Sequence, residues 1–142
     1  MSTVEMETAD LIGVALDWAV LYALNGDGPD WIVEEGVLFI VTTRDVRVGM
    51  DGIVEQEFYD PYRPSTRWDH GGPLIDKHRF EFEWVGSDWH GEPLQFFTAC
   101  GCDMPADATS SGSTHLIAAC RAIVRAKLGE TVQIPAELAN PA

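Results

Sequence analysis

Cysteine is scarce in this chain, three among 142 residues, and an odd number cannot pair off completely into disulfides. A chain of this length can bury a core without covalent staples, so reduced thiols are expected and redox chemistry is not indicated. Long hydrophobic runs are also lacking. No apolar stretch approaches the roughly 18–20 residues needed to cross a bilayer, and no basic stretch precedes an apolar signal core at the amino terminus. Both absences point to a cytoplasmic protein without a membrane partner. Cations are few as well: nine Lys and Arg stand against 23 Asp and Glu, for a net charge of −14. Such a surface repels a phosphate backbone and can release few counterions from it, so no nucleic-acid partner is expected. A small anion is not excluded, because a few local donors outweigh distant charge beyond a Debye length of about 8–10 Å. Solubility is the plainer use of the acidity.

What is present is a hydrophobic fraction of 46%, enough for one continuous core. The pattern predicts an α+β fold, a single domain over residues 1–135 with a small, mostly antiparallel sheet packed against two main helices, followed by a short frayed tail at 136–142. In the first helix, Thr8 to Leu24, the residues Leu11, Val14, Ala15, Trp18, Ala19 and Tyr22 recur at the spacing of one buried face. Thr8 or Asp10 is its expected cap and Asn25-Gly26 its end. A short strand precedes it at Thr3 to Met6. Asp27 to Asp30 reads as a loop, and Val37 to Val41, Val46 to Val48 and Ile53 to Phe58 read as strands of a meander, the last two joined by a turn at Met50-Asp51-Gly52. Phe80 to Trp84 alternates apolar and acidic residues and should pair with Leu94 to Ala99. Met104 to Ser113 reads as a long polar loop. The second helix carries Leu116, Ile117, Cys120, Ile123, Val124 and Leu128, capped by Ser113 or Thr114 and stopped by Gly129, and a last strand runs from Thr131 to Ile134.

The densest cluster of unusual residues is Pro64-Ser65-Thr66-Arg67-Trp68-Asp69-His70-Gly71-Gly72-Pro73-Leu74-Ile75, whose turn formers predict a shaped surface loop. Taken with Thr8 to Val20 and with Leu116 to Arg121 through Lys127-Leu128-Gly129, in that order along the chain, it resembles the NinX-like phage proteins, a family of unknown function. The resemblance implies a phage or prophage origin, a bacterial host cytoplasm and an accessory role outside the virion. It brings no catalytic residues. This chain departs from the family pattern in a longer Gly28 to Phe58 region and at Cys100-Gly101-Cys102.

In the motif, Arg67 offers a planar fork for a carboxylate or phosphate, Trp68 a stacking face, and Gly71 and Gly72 backbone amides that approach an anion closely. The competing reading has the segment merely cross the sheet with Trp68 as core filler. Ser113 and Thr114 open a helix, where free amides attract anions, although plain capping is the commoner role. Arg121 and Arg125, one turn apart, either support such a site or solvate a face. Within the first helix, Trp18 fits the core or a subunit interface, and Asp17 needs a local reason, anchoring of the motif segment being one.

Chemistry beyond binding finds no support. Cys100 and Cys102 are one residue apart where zinc ligands usually have two or more between them, and His90-Gly91-Glu92 lacks the cysteine helix that completes a deaminase site. No metal, cofactor or catalytic set is expected. The expected function is therefore non-enzymatic: a phage accessory protein, homo-oligomeric, that sequesters a small anionic, nucleotide-like ligand such as a bacterial immune signal. Arg67, Trp68, Gly71, Gly72, Ser113, Thr114 and Arg121 would form the site, with Trp89 an alternative stacking surface. One competing expectation is an acidic inhibitor docking on a basic host protein, and another is a small metabolic enzyme of unrecognised type.

Overall fold

The computed structural model of the chain describes residues 2–50 and 52–139. Among these residues the architecture is α+β, with eight strands in three small antiparallel sheets around two long helices. The first sheet pairs β1 (Thr3–Glu7) with β8 (Thr131–Pro135), from Thr3 opposite Pro135 to Glu7 opposite Thr131. This pairing brings the two ends of the described chain together across the core.

Between β1 and the first long helix the chain makes a 3-10 turn at Thr8–Asp10. Thr8 is not a helix cap: it is fully buried, and its hydroxyl donates to the carbonyl of Gly129 at 2.7 Å. Helix α1 (Gly13–Asn25) begins after Ile12 without a side-chain cap and ends at Gly26, whose φ of +66° is costly for any other residue. Every residue from Val14 to Leu21 is buried. The expected single apolar stripe is thus a helix covered on all sides, as its near-continuous apolar sequence requires. Its small residues Ala15 and Ala19 lie in the core cluster with Ile117, Cys120 and Val124 of helix α3 (His115–Leu128).

The meander consists of β2 (Asp30–Glu34), β3 (Val37–Val48) and β4 (Gly52–Pro61). β2 begins at Asp30, the end of the predicted 27–30 loop, and fills a stretch that the sequence left unassigned before Val37. A two-residue turn at Glu35-Gly36, both with positive φ, closes this first hairpin in the manner suited to twisted strands. The predicted strands at 37–41 and 46–48 are one continuous strand. Asp51, in the predicted 50–52 turn, lies outside the described residues, as do 140–142 of the predicted tail. On its inner face the meander presents Trp31, Val33, Leu38 and Ile40 to the core. There Trp31 meets Trp18 edge-on, with ring centroids 6.3 Å apart, and Trp18 is core.

The remaining sheet has the order β5 (Phe80–Ser87), β6 (Pro93–Gly101), β7 (Ser110–Gly112). β7 and a 3-10 turn at Ala106–Ala108 replace part of the predicted polar loop, because pairing with Phe97 to Ala99 satisfies backbone groups that local sequence leaves open. The segment after Pro135 is not frayed where described. Ala136–Ala139 forms a helical turn, α4, and Leu138 is buried in the core.

Candidate functional site

The largest correction concerns the motif. Trp68–His78 is a helix, α2, with Pro73 inside it, and not a loop. Glycine and proline there serve close packing. A Cβ on Gly71 would lie 2.4 Å from the carbonyl oxygen of Pro64 and 2.6 Å from Leu116, so only glycine lets α2 approach both the preceding turn and α3. That turn is held from three directions. The Ser65 amide donates to the Asp17 carboxylate at 2.9 Å, the Arg63 amide donates to Nδ1 of His70 at 2.9 Å, and the His70 ring stacks on Tyr62. Burial pushes the Asp17 carboxyl up to about 6, and the Ser65 hydrogen bonds and the Arg63 charge offset only part of that cost.

Anchored in this way, α2 sets Trp68 beside the amino terminus of α3. The Trp68 indole is 58% exposed, and its ring centroid lies 6.1 Å from that of His115. The His115 imidazole also contacts Phe82 and Phe97, with centroids 4.9 and 3.9 Å away. Together Ser65, Thr66, Trp68, Phe97 and residues 113–117 line a cavity of about 400 Å³ with mainly apolar walls. Ser65 itself is 2% exposed, and its hydroxyl, like its amide, lies against the Asp17 carboxylate. The polar feature that faces the cavity is the amino terminus of α3. At the start of α3 the Thr114 hydroxyl accepts the Ile117 amide at 3.1 Å; as first-turn groups, the amides of His115 and Leu116 have no intrahelical acceptor.

Of the seven residues singled out from sequence, Trp68, Ser113 and Thr114 meet at this cavity. The other four do other things. The Arg67 guanidinium forks onto Asp69 in solvent, at 3.0 and 2.6 Å. The Gly71 amide donates to the Arg67 carbonyl, and Gly72 lies within the helix. Arg121 spans two backbone carbonyls, those of Leu11 and Ser111, each at 2.9 Å, and Arg125 holds Thr109 in the same way. These arginines fix the segment leading into Ser113. Trp89 is 89% exposed in the β5–β6 turn, its ring tilted against that of His90 and away from the cavity. Sequence reasoning missed Phe97 and His115, and gave Ser65 and Thr66 no part in the site. For Phe97 no local signal exists, since only the β6 register, placing it opposite Trp84 and Gly112, brings it to this face.

A family model for NinX of bacteriophage P22 matches residues 7–127, a span that includes every residue of the cavity. The chain belongs to the NinX family. No curated protein matches it. The NinX-matched region takes in α1, the meander, α2 and the β5–β6–β7 sheet whole, so the Asp17–Ser65 anchor and the Trp68–His115 contact both lie inside the family's own extent. Among the described residues no helix of this NinX-family protein is long and apolar enough to cross a membrane.

Proposed function

We propose that this NinX-family protein is a phage accessory protein that binds and sequesters a small, planar, singly anionic ligand of nucleotide type in the Trp68–His115 cavity. The observation that carries the reading is the exposed indole of Trp68 in a cavity that also holds the first turn of α3. A flat heterocycle stacks on the indole, a contact worth about 1–3 kcal/mol per base. One anionic oxygen takes the first-turn amides of α3, worth about 0.3–1 kcal/mol and up to about 2 when partly buried. No Lys or Arg lines the cavity and the chain carries a net charge of −14, so a cyclic phosphate, singly charged, fits this chemistry best, a monophosphate of charge about −1.5 to −2 less well, and a triphosphate does not.

Titration calorimetry of the full chain against cyclic and linear nucleotide monophosphates tests the reading. At least one is expected to bind below about 10 µM, equivalent to roughly −7 kcal/mol, with a change in tryptophan fluorescence. Failure of every monophosphate and cyclic phosphate at that concentration overturns it.

A further inference from the structure

Charge in this chain is unevenly placed. Residues 26–61, the meander and its approach, carry nine carboxylates against only Arg44 and Arg47, which amounts to half of the net charge. Arg44 is occupied on the face that carries Phe58, where it pairs with Asp60 at 3.2 Å and lies 4.4 Å over the Phe58 ring. On the opposite, outer face Asp30, Val41 and Tyr59 stand in one row across the three strands. Beside that row a groove of about 760 Å³ follows β2, with Trp31, Val33 and Val41 in its walls and carboxylates of Asp27, Asp30 and Glu57 around them. No lysine or arginine lines it.

The strand in this groove is an edge. β2 pairs only with β3, and among the described residues no other strand pairs with its far side, where Glu137 of α4 also borders the groove. In an antiparallel pair alternate residues of an edge strand direct their N–H and C=O groups outward, ready for another strand. We infer that the open edge of β2 and the acidic groove beside it take up an extended basic segment of a partner protein. The incoming backbone continues the ladder of the β2–β3–β4 sheet while alternate Arg or Lys side chains meet Asp27, Asp30 and Glu57. A second copy of this chain is the wrong occupant, since it would set the same carboxylates against one another.

Three acetylated hexapeptides against the full chain test this by fluorescence anisotropy: one alternating Arg and Val, one alternating Glu and Val, and the Arg–Val peptide with alternate backbone nitrogens methylated. The plain Arg–Val peptide is expected to bind at least about tenfold more tightly than either of the others, to weaken about tenfold between 50 and 300 mM salt, and to slow amide exchange within residues 30–34. The double variant Asp30→Asn, Glu57→Gln, which keeps side-chain shape and so the fold, is expected to lose most of that affinity. Equal binding of the methylated peptide, equal binding of the Glu–Val peptide, or full affinity in the double variant overturns the inference. These outcomes are independent of the nucleotide titrations, which concern a cavity built from other elements.

Discussion

The carboxylate of Asp17, midway along α1, accepts the backbone amide of Ser65 forty-eight positions later, at 2.9 Å. Through this single buried bond the central helix fixes the turn that aims α2, and so the place of Trp68 over the end of α3. It is also the local reason for an aspartate inside a helix otherwise buried and apolar.

A pH dependence follows from its burial. The folded-state value is raised from 3.8 to about 6, so the native state holds this proton more tightly than the unfolded chain does. The contribution is fully present below about pH 4 and is lost as pH rises through about 6, a difference on the order of 2–3 kcal/mol. Urea denaturation of the wild type and of Asp17→Asn, which keeps an acceptor for Ser65 without the titration, is expected to show the two stability curves diverging between pH 4 and pH 6. Parallel curves would contradict this assignment.

Adjacent glycines behave oppositely. Gly71→Ala drives a methyl into the Pro64 carbonyl and Leu116 and is expected to destabilise by about 1–3 kcal/mol. At Gly72 the nearest atom to a new Cβ is 3.9 Å away, in the Trp68 ring, so Gly72→Ala is expected to stabilise by up to about 1 kcal/mol through reduced unfolded-state freedom. Thermal or chemical denaturation distinguishes them by sign.

Arg121 is a brace between two backbone carbonyls and is not among the residues that line the cavity. Its guanidinium joins the carbonyl of Leu11 to that of Ser111. Arg121→Ala leaves both without this partner and is expected to cost about 1–3 kcal/mol, and Arg121→Lys to recover only part of it because a single ammonium does not reproduce the planar fork. Denaturation midpoints of the two variants provide the measurement.

Ligand binding and folding separate at the cavity. Trp68→Ala, at a side chain mostly in solvent, is expected to leave stability within about 0.5 kcal/mol while weakening nucleotide binding by about 10- to 100-fold. Ser65→Ala removes a hydroxyl buried against the Asp17 carboxylate and is expected to cost about 1 kcal/mol of stability while leaving affinity unchanged. Calorimetry beside denaturation on the same samples reads both, and loss of affinity in Ser65→Ala without loss of stability would assign the hydroxyl to the ligand.

Helix α3 was legible from its residues alone. The stripe from Leu116 to Leu128, the Thr114 cap and the Gly129 stop are local chemistry, and each is found where expected. So were the alternation that makes β5 and the family resemblance carried by the three sequence blocks. Helix α2 was not legible, because Gly71 and Pro73 argue locally for a loop and the helix persists through contacts with Pro64 and Leu116 that no local pattern encodes. β2 and β7 likewise exist by pairing with strands elsewhere in the chain. Arg67 and Arg121 show the same limit for the site. Residue type gave each a fork able to hold an anion, but Asp69 and two backbone carbonyls already occupy those forks. A sequence determines which groups a protein owns and which short segments fold by their own periodicity; which groups remain free is decided only when distant segments pack, because a donor is available only if the fold has left it unpaired.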